Sequence, residues 1–494
     1  MSNLALLVCL FHVMMIGQAR PPSAGESTLR WFVTCLNQNS IEGMSAFVDK
    51  KCLPSTKPAN QRASKLLELN SAGAPFKVVQ FLVDTDSDVI ATLSNNEGMH
   101  YELKISFQSG SEHRVSTIYM GLPGSQTGPK PRNYGDWKTI PGLLQQILEE
   151  NKVPSITVAL KNGSTEQAYV SGTLRQDKAV TTRVDHKWII GSITKSMTAT
   201  MIARLIDDGK LKWSTTIGEV FPKDNFLSQY RRVTLLQLLQ HRGGVPQDLY
   251  VNPKFLDDAA GPESGRVQMR HHYVLFTLNR NPIEVPGTKM RYSNVGYSIA
   301  AHMAETVMHI PYESLMSDLV FKPLAMHSAE FGVPGLGDNP GTPNQPMGHA
   351  LQNGVLIPYV LNEPRLSGIQ APAGAGLSMT IKDLLKFASY HLNGLRGDVR
   401  LMSPSNFATL HRPGSTKPGA SRYACGWLIS SGYTDDPYEG HNGSDGTFRA
   451  DMALWPERNL AIVSIANAVT MTEPAPTVQA IAAIYRRLIH PGNK

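Results

Sequence analysis

Ser192 and Lys195 stand three residues apart in Ser192-Ile193-Thr194-Lys195, a spacing that puts a hydroxyl and an amine on one face of a helical turn. A lysine kept from water holds its proton less tightly, and a neutral amine beside a serine hydroxyl can take the hydroxyl proton and leave a nucleophile. The residues that follow supply such surroundings. Ile193, Met197, Met201 and Leu205 recur at helical spacing, Ile202 and Ile206 widen the stripe, and Gly209 stands where a C-cap ends a helix. Ser192 is therefore expected in the first turn of a buried helix, whose N-terminal N–H groups and dipole favour a developing oxyanion. The motif occurs once in the chain, but a serine N-cap followed by a solvent lysine has the same spelling.

Two further stretches carry chemistry. In Tyr292-Ser293-Asn294, after the Pro286-Gly287 turn, an extended backbone would turn Tyr292 and Asn294 to the same side. The Tyr292 phenol could then pass protons to and from Ser192, and the Asn294 amide could hold a substrate carbonyl or the lysine. Tyr250-Val251-Asn252 repeats the pattern without an apolar helix after it, so Tyr292 is preferred. Gly440-His441-Asn442-Gly443-Ser444-Asp445-Gly446 precedes a strand expected at Thr447 to Leu454. Its glycines permit close backbone approach to a ligand, and an edge strand offers N–H and C=O groups to an extended substrate; a plain Gly/Asn turn is the bland alternative.

The elements that must position these residues fall into two regions. Residues 20–122 read as a small α+β domain, two or three short helices followed by strands at Phe76 to Val83, Val89 to Leu93, Tyr101 to Phe107 and Val115 to Met120. A Gly/Pro-rich linker spans 123–136. From 137 to 494 a helix near Ile140 to Glu150 leads into a hairpin, Ser155 to Leu160 and Gln167 to Val170, about Asn162-Gly163. At the far end Leu460 to Ala466 reads as a strand and Pro476 to Ile489 as a helix. Strands at both ends predict one antiparallel sheet built from both ends of the region and packed by helices.

Composition excludes several classes. Lysine and arginine are scattered, so the net charge of +7 makes no nucleic-acid-binding stripe. No Cys/His array has zinc spacing, and adjacent His271 and His272 point apart on a helix; no metal is expected. No Gly-Xaa-Ser-Xaa-Gly elbow is present, which disfavours an α/β-hydrolase. Residues 1–19, uncharged and apolar from Leu4 to Ile16, read as a signal peptide, which implies a secreted or periplasmic protein with no integral membrane span after cleavage. Cys35 and Cys52 could then bridge, while Cys425 reads as a small buried residue.

The three elements, in this order, resemble the β-lactamase-related, penicillin-binding-protein-like serine hydrolases, closest to the class C β-lactamase, D-aminopeptidase or carboxypeptidase and esterase branch. Thr234 to Pro246 (TLLQLLQHRGGVP) and Pro372 to Thr380 (PAGAGLSMT) agree with it, and the likeness runs from about residue 137 to the C-terminus. The resemblance implies an α/β fold of the α+β kind: a β-lactamase/transpeptidase-like domain with a helix-flanked antiparallel sheet and a largely helical insert, here preceded by the small α+β domain. It implies a Ser192 acyl-enzyme, Lys195 and Tyr292 managing the proton, Asn294, His441, Gly443 and Ser444 binding substrate, the N–H groups of Ser192 and Ser444 as oxyanion hole, and no cofactor. Family β-lactamases usually carry Lys-Thr-Gly where this chain has His441-Asn442-Gly443, and a neutral imidazole attracts a carboxylate weakly. Small-molecule or peptide-like esters and amides are therefore expected before β-lactams or D,D-peptides. Acyl transfer to an amine or alcohol, and a catalytically inactive scaffold, are the remaining alternatives.

Overall fold

The structure, a computed structural model, describes residues 22–489 with gaps chiefly at 109–113, 122–133, 256–264, 335–343, 360–367 and 415–421. The expected signal peptide at 1–19, most of the linker at 123–136, and Tyr250 and Asn252 lie outside the described residues. The chain divides into two compact units near residue 125.

In the first unit, three helices precede a four-stranded antiparallel meander. The helices are α1 (Ala24–Gln38), α2 (Ile41–Lys51) and α3 (Ala59–Leu67), and Ser23 and Ser40 cap the first two through their hydroxyls. The strands β1 (Phe76–Asp84), β2 (Asp88–Asn95), β3 (His100–Phe107) and β4 (Val115–Gly121) pair in chain order. Leu29, Phe32, Leu36 and Phe47 from the helices meet Val89, Leu93, Leu103 and Ile105 from the sheet, each fully buried. The bridge considered between Cys35 and Cys52 is not formed. Both are free thiols inside this core, and Cys35 Sγ donates to the Gly43 carbonyl instead.

The second unit is built on a seven-stranded antiparallel sheet that draws on both ends of its sequence. It opens with α4 (Ile140–Asn151), the hairpin β5 (Ser155–Asn162) and β6 (Thr165–Arg175), and the short strands β7 (Lys178–Thr181) and β8 (Lys187–Ile189). Helix α5 (Thr194–Asp207) follows a single 3-10 turn, and α6 (Arg266–Leu278) and α7 (Asn294–Met308) are the long helices of the insert. Small strands β9 (Glu330–Phe331), β10 (His349–Gln352), β11 (Val355–Pro358) and β12 (Leu377–Thr380) lead to α8 (Ile381–Leu395) and α9 (Pro404–Leu410). The chain then returns through β13 (Leu428–Ser430), β14 (Tyr438–Ser444), β15 (Arg449–Trp455), β16 (Leu460–Ala466) and α10 (Pro476–Ile489). The order across the sheet is β13-β14-β15-β16-β5-β6-β7.

Alternation along the central strands explains the layers. Ile156, Val158 and Leu160 of β5 and Ile462 of β16 pack with Leu143, Ile147, Ile481 and Ile484 of α4 and α10. Ala159, Val463 and Ile465 face the other way, into the large core that holds α5, α7 and α8. With both faces covered, β15 and β16 are buried along their whole length.

Two local readings change. Ser192 sits in the 3-10 turn Gly191–Ile193, one step before α5 rather than in its first turn. The Gly/Asn-rich third element is itself strand β14, and β15 starts at Arg449 because Asp445 Oδ1 accepts from the N–H groups of Thr447 and Phe448 and so closes the intervening turn.

Candidate active site

Backbone fit fixes where Ser192 stands. Gly191 has φ +54°, and a Cβ there would lie 2.3 Å from Ser444 N; a Cβ on Gly443 would lie 2.0 Å from Ile190 O and 2.6 Å from Ser192 N. A Cβ on Gly374 would come within 2.7 Å of the same Ser192 nitrogen. Only residues without side chains allow β14 and the 374 loop to touch this turn, so the amide nitrogens of Ser192 and Ser444 are drawn to one spot. The stretch ahead of that loop is anchored from the insert, where Arg270 is buried between Glu305 and Glu313 and donates to Gly368 O.

Lys195 is fully buried one turn on. Its Nζ donates to Ser192 Oγ at 2.9 Å and to the Ala373 carbonyl at 2.5 Å. It also lies over the rings of Tyr292 and Tyr297, 4.8 and 5.7 Å from their centroids, so aromatic rings cover the amine. Burial pulls its pKa from 10.5 down to about 7, against the smaller opposing pull of the Asp248 charge. Tyr292 hydrogen-bonds Ser192, but burial pushes its phenol well above the usual value. Of the two groups at the hydroxyl, the amine is thus the one able to accept a proton near neutral pH, and Tyr292 is held as a phenol that can donate.

Asn294 is not on an extended segment with Tyr292. It is the first residue of α7, capped by Ser293, whose hydroxyl accepts from Gly296 N. Its Nδ2 donates to Asp248 Oδ1 at 2.7 Å, and its buried Oδ1 has no hydrogen-bond partner among the described residues.

His441 is buried with both ring nitrogens engaged. Nδ1 lies 2.5 Å from Asn442 O and must donate to it, which leaves Nε2 to accept from Tyr423 OH at 2.9 Å. This tautomer is neutral, in keeping with a pKa lowered to about 3, mainly by burial and then by the charge of Lys195. Gly443 and Ser444 continue the strand, and β13 pairs with β14 only as far as Gly440, so β13 leaves His441 to Ser444 unpaired on that side.

Sequence reasoning gave no role to His241, Asp248, Ala373 or Tyr423. His241 braces both sides of Tyr292: its carbonyl accepts from Arg291 N at 2.7 Å, its Nδ1 from Ser293 N at 3.0 Å, and its ring lies 4.3 Å from the Tyr292 ring. Accepting through Nδ1 requires a neutral ring. Burial, and after it the charge of Lys195, holds its pKa well below the usual value. His241 and Ala373 fall in the two stretches that agree with the family, the one signal that could have found them. Nothing local marks Asp248 or Tyr423. Among the described residues, no group of three or more His, Cys, Asp or Glu could hold a metal ion.

A lysine amine on a serine hydroxyl at a helix start, beside an antiparallel sheet, is the arrangement of the Ser–Lys class of acyl-transfer proteins. The chain belongs to the beta-lactamase family, whose model matches residues 140–485. It is 24% identical over 328 residues to the protein flp of Staphylococcus aureus, covering 66% of this chain and 62% of that protein. It is 25% identical over 363 residues to the unguisins hydrolase ungD′ of Aspergillus campestris, covering 70% and 64%. The chain therefore spans under two thirds of the length of these relatives. Its fold matches the D-amino acid amidase of Ochrobactrum anthropi SV3, solved with L-phenylalanine, at a TM-score of 0.57 and 20% identity over 71% of this chain and 98% of that one. Family and fold together support serine-hydrolase chemistry in general.

Proposed function

We propose that the protein hydrolyses ester or amide bonds through an acyl-enzyme on Ser192. The observation that carries this reading is the buried, weakly basic amine of Lys195 donating to Ser192 Oγ at 2.9 Å. As a free base, Lys195 takes the hydroxyl proton while Ser192 attacks the acyl carbon. Amide groups of Ser192 and Ser444 stabilise the oxyanion, Tyr292 hands its phenol proton to the leaving group, and Lys195 passes the serine's proton to Tyr292, so that both groups are restored. Water then repeats the sequence to release the acid.

Substrate preference rests on His441. A neutral ring with both nitrogens occupied offers no cation and no free donor to a carboxylate, so an ester or amide without a carboxylate at that end is favoured over a β-lactam or a C-terminal D,D-peptide. The amidase and hydrolase among the relatives fit the same reading. The uncharged apolar start supports a secreted or periplasmic location. No helix among the described residues is long and apolar enough to cross a membrane. The test is a panel of p-nitrophenyl esters, D-amino-acid amides and nitrocefin. Turnover of esters or amides with little nitrocefin hydrolysis is expected; rapid nitrocefin turnover with the others untouched would overturn the preference, and no turnover of any would favour an inactive scaffold.

A further inference from the structure

A second chain of polar groups crosses from the nucleophile's helix to the substrate strand. Thr200 Oγ1 on α5 lies 3.1 Å from His391 Nε2, His391 Nδ1 lies 3.0 Å from His411 Nε2, and His411 Nδ1 lies 2.6 Å from Glu439 Oε2 on β14. His391 belongs to α8, and His411 is the C-cap of α9. Thr200 is five residues beyond Lys195 and Glu439 two before His441, on the same side of its strand. Phe387, Phe407 and Trp427 close around the two rings. At the same junction a Cβ on Gly426 would come within 2.6 Å of the Ser196 backbone.

The protons of this chain can be counted. Thr200 Oγ1 also reaches Ser196 O at 2.8 Å, and when its single hydroxyl proton serves that carbonyl, His391 Nε2 donates to Thr200. A neutral His391 then accepts at Nδ1, and His411 must donate to it from Nε2. At its other nitrogen His411 meets Glu439, and a carboxylate only accepts. His411 therefore carries both protons, or Glu439 is the acid and donates to Nδ1. With Thr200 turned to Ser196, the His411–Glu439 pair thus holds one proton more than a carboxylate and a neutral imidazole. Without that proton the chain reverses: His411 keeps Nδ1–H for Glu439, His391 donates from Nδ1, and Thr200 must leave Ser196 to serve His391 Nε2.

The surroundings suit the protonated form. Burial holds His391 neutral, and a proton on neighbouring His411 would reinforce this. Tyr390, beside His391, is pushed up to about 12 by burial and stays a phenol. The phenylalanine and tryptophan rings bring no charge, which leaves Glu439 as the group that balances His411.

We propose that Glu439, His411, His391 and Thr200 form a positioning strut that, with its extra proton in place, locks β14 against α5 and so sets how Ser444 approaches Ser192. The functional half of this proposal rests on the Ser192 acyl-enzyme reading; the proton count does not. Protein labelled with 15N-histidine reads the count directly by NMR. At neutral pH, His411 should show two N–H groups, or Nε2–H alone if Glu439 holds the proton, with His391 as the Nε2–H tautomer. In Glu439→Gln the amide donates to His411 Nδ1, so every bond survives with a neutral His411 and no proton left to lose.

That variant should keep kcat within about threefold of the parent, with KM unchanged, and its kcat should follow pH differently from the parent's. Glu439→Leu, which leaves Nδ1 without its carboxyl partner, should lose kcat by about tenfold. An Nδ1–H tautomer at both histidines at neutral pH would overturn the strut's proton, whatever the activity. Identical pH profiles for the parent and Glu439→Gln would overturn its link to catalysis.

Discussion

Lys195→Met is expected to cut kcat/KM on a p-nitrophenyl ester by about 10³-fold, within the range for a lost general base, while the protein remains folded and melts at a higher temperature. Both effects come from the buried amine. Its pKa of about 7 makes it a free base only above that pH, so parent kcat/KM should climb as pH rises through about 7. Unfolded, the same lysine titrates near 10.5, so between about 7 and 10.5 the unfolded chain holds the extra proton and stability rises with pH. Below about 7 the folded protein bears the whole cost of burying a charged amine. Methionine removes that cost, so its advantage in melting temperature should be largest at pH 6 and shrink towards pH 9. Lys195→Arg separates charge from basicity: a guanidinium stays protonated and should be as inactive as methionine without the gain in stability.

Gly443→Ala should act through geometry rather than protonation. The new methyl would stand 2.0 Å from Ile190 O and 2.6 Å from Ser192 N, and both are backbone atoms that cannot swing aside. The strand must move off the Ser192 turn, so the Ser444 amide leaves the place where the oxyanion forms. A loss of about 10²-fold or more in kcat is expected. Thermal unfolding should report an overpacking cost of about 1–3 kcal/mol. Gly265→Ala is the control, since its backbone is extended and nothing lies within 4 Å of the added Cβ. Equal activity in Gly443→Ala and the parent would remove β14 from the oxyanion site.

What the sequence made legible follows from range of interaction. β16 and α10 were read to the residue and β5 to within two, because their apolar patterns record burial on known faces. Ser192 and Lys195 were found together because a helical turn sets their spacing locally, and the hydrogen bond at 2.9 Å is that spacing realised. β14 was legible only as a Gly-rich stretch ahead of a strand, for the opposite reason. Its glycines at 440 and 443 are present because Met452 O and Ile190 O stand where a Cβ would be, and composition alone cannot tell a tight contact from a flexible loop. Asn294 was placed on an extended segment because the cap that starts α7 at that residue depends on Ser293, whose hydroxyl also donates to Pro246 O, 47 residues away. Asp248 and Tyr423 were invisible: each acts through a partner far along the chain, Asn294 46 residues on and His441 18 residues on.

Everything in this account turns on Ser192 as the residue that is acylated. The most direct measurement is intact-protein and peptide mass spectrometry after treatment with a fluorophosphonate probe at pH 8, comparing the parent with Ser192→Ala. One adduct per chain is expected, carried on the peptide that contains Ser192, and none in the variant. An adduct of equal yield in Ser192→Ala, or a folded parent that takes up no probe across the pH range, would contradict it.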